Sequence, residues 1–169
     1  LLKAIYGFLK PNAGEIWLDD KRVDNIPTHE LITLGLAYIP QHTGIFKWMT
    51  VKENIELGGW TFRKDKERLQ QKVEENYERF PILKEKRNQL AGELSGGQQR
   101  MVELSRTMMT DPTVILVDEP TAGLAKLLSQ EVYNMLVGLR DNDGLTIILV
   151  DQEIRSALKI ADYVYVLDL

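Results

Sequence analysis

Val114-Ile115-Leu116-Val117-Asp118-Glu119-Pro120 is four uninterrupted apolar residues closed by two carboxylates and a proline. A short apolar run rich in β-branched residues reads as a strand buried on both faces of a parallel sheet. Downstream, the chain predicts a helix from about Leu128 to Arg140, a second buried strand over Thr146-Ile-Ile-Leu-Val150, a helix over Ile154 to Ala161, and a third strand over Tyr163-Val-Tyr-Val-Leu167. Strand, helix, strand, helix, strand is the doubly wound α/β pattern with a mostly parallel sheet, whose ligands lie at the carboxyl ends of the strands. Asp118 and Glu119 stand at such an end.

Upstream, Gly96 to Met109 predicts the helix that delivers the chain into that strand. Asp65 to Phe80 predicts an amphipathic helix, with Leu69, Val73, Tyr77 and Phe80 on one face and its charges toward solvent. Val51 to Ile55 opens another helix, and Gly35-Leu-Ala-Tyr-Ile-Pro40 is a short apolar strand closed by proline. Glu15 to Leu18 and a strand near Arg22-Val23 flank Asp19-Asp20 as a hairpin. Leu1 to Leu9 reads as the end of a helix, stopped at Pro11-Asn12.

The composition narrows the partners. With 169 residues, 44% hydrophobic and 27% charged, the chain suits one soluble domain with a sizeable core. Its apolar runs fall far short of the ~18 residues that span a bilayer. It has no cysteine, which excludes disulfides and thiolate metal sites and fits a reducing compartment, and only His29 and His42 offer imidazole. A formal net charge of -4 argues against nucleic acid as a partner, because duplex affinity rests on clustered Lys and Arg.

Two segments carry chemistry. One carboxylate of Asp118-Glu119 can hold Mg²⁺, a hard ion that prefers oxygen, while its neighbour polarises a water for attack on a γ-phosphate. By itself the pair is also an ordinary way to end a strand. Ser95-Gly96-Gly97-Gln98 puts two glycines in the first turn of a helix, each costing roughly 1 kcal/mol against alanine. A capping box between Ser95 and Gln98 explains those two residues but not the glycines. Bare N–H groups at the positive end of a helix admit an anion closely, so a phosphate accounts for more of the segment.

Leu94-Ser-Gly-Gly-Gln-Gln-Arg100 resembles the signature motif of the ABC ATPase family, and Val114 to Pro120 resembles its Walker B segment. The resemblance covers essentially the whole chain. It implies a P-loop NTPase-like (RecA-like) core over 1–41 and 101–169, with an inserted α-helical subdomain over 42–100. It makes Asp118 the magnesium-associated residue and Glu119 the catalytic base. Tyr38-Ile-Pro-Gln41, followed by Met49-Thr-Val-Lys-Glu-Asn54, is similar to the Q-loop region, which makes Gln41 the sensor between nucleotide, Mg²⁺ and transmembrane partner. Gln152 falls where the family's switch residue follows the strand Thr146 to Val150.

Within the family, Thr121-Ala-Gly-Leu-Ala125 and Leu149-Val-Asp-Gln152 look most like the ATP-binding subunits of branched-chain amino acid importers, with urea importers close by. The cofactors implied are ATP and Mg²⁺. The partners implied are a second nucleotide-binding subunit, in a homo- or heterodimer, and transmembrane permease subunits at the inner face of the cell membrane. In that dimer Ser95, Gly96, Gly97 and Gln98 of one subunit close over the triphosphate held by the other. A soluble ABC ATPase of DNA repair or translation shares these motifs but usually adds coiled coils or basic patches, and a pure interaction module would bind no nucleotide.

The sequence departs from the family in three places. No Gly-x-x-x-x-Gly-Lys-Ser/Thr occurs, and Leu1-Leu-Lys-Ala-Ile-Tyr-Gly-Phe-Leu9 resembles the helix that follows that loop. A start inside a longer natural sequence is therefore expected, and these 169 residues alone should bind ATP poorly and hydrolyse almost none. Gln152 replaces the usual histidine and can hydrogen-bond a phosphate without exchanging a proton near neutral pH. Ala125 stands where many relatives carry aspartate in the loop that meets the second subunit.

Overall fold

The computed structural model describes residues 1–42 and 44–167. Its centre is a parallel sheet of β3 (Leu36–Ile39), β4 (Val114–Asp118) and β5 (Thr146–Val150), in that order. Leu36 pairs with Val114 and Val114 with Thr146, and the register runs on to Ile39↔Val117 and Asp118↔Val150. The polar ends of all three strands therefore lie side by side, which is what the doubly wound pattern requires.

Each face of β4 has its own core. Ile115 and Val117 join a large cluster with Ala37, Ile39, Val51, Ile55, Val102, Met109 and Leu136, whereas Leu116 turns to a smaller one with Leu2, Val23, Leu31 and Leu36. Ile115, Leu116 and Val117 are all fully buried, so the uninterrupted apolar run reflects helices or turns on both sides. Burying one such side chain is worth roughly 1.5–3 kcal/mol.

The large cluster is closed by α3 (Val51–Gly58), α4 (Lys66–Arg79), α5 (Pro81–Glu85), α6 (Gly96–Met108) and α7 (Lys126–Asp143). The smaller one is closed by α1 (Leu2–Ile5), the antiparallel hairpin of β1 (Trp17–Leu18) and β2 (Lys21–Arg22), and α2 (Thr28–Leu31). Along α4, Val73 and Tyr77 are buried, as the amphipathic spacing predicts. Capping boxes start α3 at Thr50 with Glu53 and α6 at Ser95 with Gln98, and α7 stops at Gly144, whose φ of 68° glycine adopts at little cost.

Four expectations need correction. Helix α1 ends at Ile5, and Gly7 at φ +75° turns the chain before Pro11 is reached. Helix α8 covers only Ile154–Ala157. Strand β5 is not buried: Thr146, Ile148 and Val150 are exposed, because the hairpin, α1 and α2 pack against β3 and β4 and stop short of it. Tyr163 to Leu167 forms no strand and is 56–89% exposed. Its β-branched and aromatic residues suit a pleated surface, but a strand exists only through a pairing partner, and the segment makes no ladder with the open edge of β5.

Candidate functional site

Parallel register brings three loops to one place. After β4 the backbone of Glu119 enters the left-handed region at φ 44°, rare for a residue with a side chain, and its N–H donates to the carbonyl of Val150 at 2.7 Å. That turn lifts the Glu119 carboxylate into the space between the ends of β3 and β5. There Gln41 Nε2 donates to Glu119 Oε2 at 2.5 Å, and Gln152 Nε2 donates to the same oxygen at 2.8 Å. Oε1 accepts no hydrogen bond from the described residues.

Asp118, one residue earlier, turns the other way. Its Oδ2 accepts from the Tyr38 hydroxyl at 2.8 Å, a contact made across the β3–β4 register. Burial, and then the hydrogen bond and negative charge of Asp118, push the Tyr38 hydroxyl up to about 12. Tyr38 therefore remains a donor throughout the neutral range and fixes Asp118. Its ring stacks on Tyr6 at 5.4 Å.

The loop after Glu119 is fixed to the loop carrying Gln152. Thr121 Oγ1 donates to the Asp151 carboxylate at 3.0 and 3.2 Å and lies 3.4 Å from the Tyr133 hydroxyl, while Asp151 Oδ1 accepts the N–H of Glu153 at 2.9 Å. Neither Tyr38 nor Asp151 was singled out from sequence. The signal for both was the strand pairing, since each sits at or beside a β-strand end that meets β4.

The sequence-predicted residues thus fall into two groups. Gln41, Glu119 and Gln152 converge, with Asp118 beside them. Ser95, Gly96, Gly97 and Gln98 sit apart at the start of α6, where the side chains of Ser95 and Gln98 bond each other's backbone at 3.3 Å. The two glycines have a packing reason within the chain. A Cβ on Gly96 would lie 2.8 Å from Leu124 Cδ2, and one on Gly97 would lie 3.1 Å from Glu131 Oε2 and 3.3 Å from Leu128 Cδ2. Gly97 is buried under these residues, so Ser95 is the exposed part of the turn, with Gly96 and Gln98 half-buried beside it.

Among the described residues no three His, Cys, Asp or Glu side chains form a metal cluster. A surface hollow of ≈ 370 Å³ lined by Leu18, Asp19, Asp20, Lys21 and Leu34 contains none of the site residues. Asp118 and Glu119 are half-buried and Gln152 is exposed, so the group is reachable from outside the chain at its Gln152 side.

The profile of the ABC transporter family matches residues 1–122. The "Probable branched-chain amino acid transport ATP-binding protein LivF" of Archaeoglobus fulgidus is 34% identical over 167 residues, covering 99% of this chain and 70% of that protein. Among solved structures, the ADP conformation of an ATP-binding cassette of an ABC transporter superposes with a TM-score of 0.82 at 30% identity, over 95% of this chain and 68% of its own. A dimeric bacterial ABC transporter cassette superposes with a TM-score of 0.73 at 26% identity, over 93% of this chain and 70% of its own.

Proposed function

The chain belongs to the ABC transporter family, and from that premise we propose that it is the ATP-binding subunit of an importer for branched-chain amino acids, with Glu119 as general base. The observation that carries the catalytic assignment is the convergence of Gln41 and Gln152 on one oxygen of a carboxylate held in a strained turn. Strain of this kind costs of order 1–3 kcal/mol and persists where its surroundings over-determine it. The amino acid cargo is supported by the LivF relative, whose name states that transport.

The donors fit Mg²⁺. Asp118 keeps Oδ1 beyond its bond to Tyr38, and Gln41, with its amide nitrogen on Glu119, keeps its amide oxygen. Two oxygens suffice for an ion that retains waters and takes the rest from phosphates. When bound, the ion would neutralise charge on the β- and γ-phosphate oxygens. The chain's own part is to hold a water on Glu119 Oε1, accept its proton there, and place the Gln41 and Gln152 amides beside the γ-phosphate.

The partners follow the same reading. Ser95 and Gly96 would face the triphosphate held by a second ATP-binding subunit, an arrangement supported by the dimeric cassette of similar fold. A permease would dock beyond Gln41, where Phe46 and Trp48 are 52% and 89% exposed. No helix among the described residues is long and apolar enough to cross a membrane, so the membrane would be reached through that permease, at its inner face. We assign 42–100 to the helical subdomain and 1–41 with 101–169 to the core. The reading is tested by purification from membranes: the protein should co-purify with a permease, and the complex should hydrolyse MgATP faster when an extracellular binding protein loaded with leucine, isoleucine or valine is added. A complex stimulated equally by an unloaded binding protein would remove the proposed cargo.

A further inference from the structure

Helix α6 buries an ion pair that the reaction above does not use. Arg100 and Glu103 are 4% and 1% exposed, with Arg100 Nη1 donating to Glu103 Oε2 at 2.6 Å. Among the described residues, their remaining side-chain bonds go to the main chain of one loop. Arg100 donates to the carbonyls of Pro40 at 3.1 Å and of Gln41, and Glu103 Oε1 accepts the Gly44 N–H at 2.7 Å. One turn further along α6, Arg106 donates to the Gly44 carbonyl at 2.7 Å. Beyond that loop, fully buried Asn54 of α3 accepts the Phe46 N–H at 2.8 Å and donates to the carbonyls of Phe46, Met49 and Thr50.

Apolar side chains could fill the space of a buried ion pair at no loss of stability, so the pair is poor evidence of stabilisation. Its bonds hold the loop at Pro40, Gln41 and Gly44, since every acceptor and donor it meets there among the described residues is backbone. That path is what aims Gln41 at Glu119. Helix α6 is also the helix that begins at Ser95.

We propose that Arg100, Glu103 and Arg106 are positioning residues that clamp the backbone of Pro40, Gln41 and Gly44 to α6, so that the orientation of Gln41 toward Glu119 is tied rigidly to the Ser95–Gly96 turn at the other end of that helix. One subunit thereby links two nucleotide sites, its own through Gln41 and its partner's through Ser95. The consequence for catalysis rests on Glu119 acting as general base; the clamp itself does not.

The test is Glu103→Gln, which keeps the shape of the side chain and removes the charge that holds Arg100. The first readout is hydrogen exchange of the Gln41 side-chain amide by NMR, with the buried side-chain amide of Asn76 as internal reference. The second is kcat and KM for MgATP in the permease complex. The clamp predicts that Gln41 exchange rises by about tenfold or more while Asn76 is unmoved, and that kcat falls by a similar factor at unchanged KM. Should Glu103→Gln fail to fold, Gly44→Ala serves instead, because its Cβ would press at 3.1 Å on Glu103 Oε1 and at 3.2 Å on Arg106 Nη2 without altering a charge.

Unchanged Gln41 exchange in a folded variant overturns the proposal. So does a parallel rise at Gln41 and Asn76, the mark of general loosening, whereas a selective rise at Gln41 with kcat intact upholds the clamp and removes its catalytic consequence. If the unsubstituted complex hydrolyses no ATP, the ATPase reading falls, and the exchange measurement still decides the clamp.

Discussion

Glu119 takes two amide donors on one oxygen from a backbone that few residues with side chains adopt. Glu119→Gln keeps the volume and removes the proton acceptor. In the permease complex it should retain ATP binding and lower turnover by about 10²–10⁴, the usual worth of a positioned general base; a nucleotide-binding assay beside steady-state kinetics checks both halves. A second residue bears on pH. The Tyr133 hydroxyl is pushed up to about 12 by burial and by the Asp151 charge, against the opposing hydrogen bond of Thr121. Its folded value lies above the ordinary ~10, so its share of stability is whole below pH ~10 and is lost as pH rises through ~12. Thermal melts across that window should show stability falling in the unsubstituted chain and falling less in Tyr133→Phe. Glu119 was legible in the sequence because it follows a strand that hydrophobic patterning locates, whereas Gln41 and Gln152 gained their meaning only from the resemblance to the ABC family. Tyr38, Asp151 and the Arg100–Glu103 pair were not, because their meaning depends on which strand or loop lies beside them.

The elements of the chain differ in how far local sequence decides them. Helix α6 was readable from Ser95 and Gln98, and the capping box is present. Ser95→Ala should lower stability by about 1 kcal/mol, which in a domain of this size is a fall in Tm of roughly 2–4 °C by calorimetry. Helix α7 is the converse case. It begins at Ala125, whose extended backbone is that of an N-cap but whose side chain caps nothing. Ala125→Asp should raise Tm by a similar amount, and an unchanged Tm would show that the Asp side chain finds no free N–H there. Strands β3 and β4 were legible because helices or turns cover both their faces, so composition and burial agree. Tyr163 to Leu167 has the same composition and forms no strand, since pairing is a property of two segments and the sequence shows only one. Likewise α1 and α8 are shorter than their apolar patterns, as a helix of a turn or so lives on tertiary packing.

At the scale of the whole molecule, the parallel register gathers half-buried Asp118 and Glu119 beside exposed Gln152, while the start of α6 exposes Ser95 in a separate group. Neither group encloses a nucleotide. Two copies, or this chain and a similar one, would complete each other's sites, and ATP would then act as the adhesive between subunits. The absence of cysteine from these 169 residues helps to make this measurable, because Ser95→Cys creates the one thiol within them, at an exposed position. Alkylation of that thiol can be timed in the permease complex, with and without Mg²⁺ and a slowly hydrolysed ATP analogue. The closed arrangement predicts that nucleotide slows the reaction by about tenfold or more, as the thiol is covered by the facing subunit and its triphosphate. An alkylation rate that saturating nucleotide leaves unchanged would contradict it.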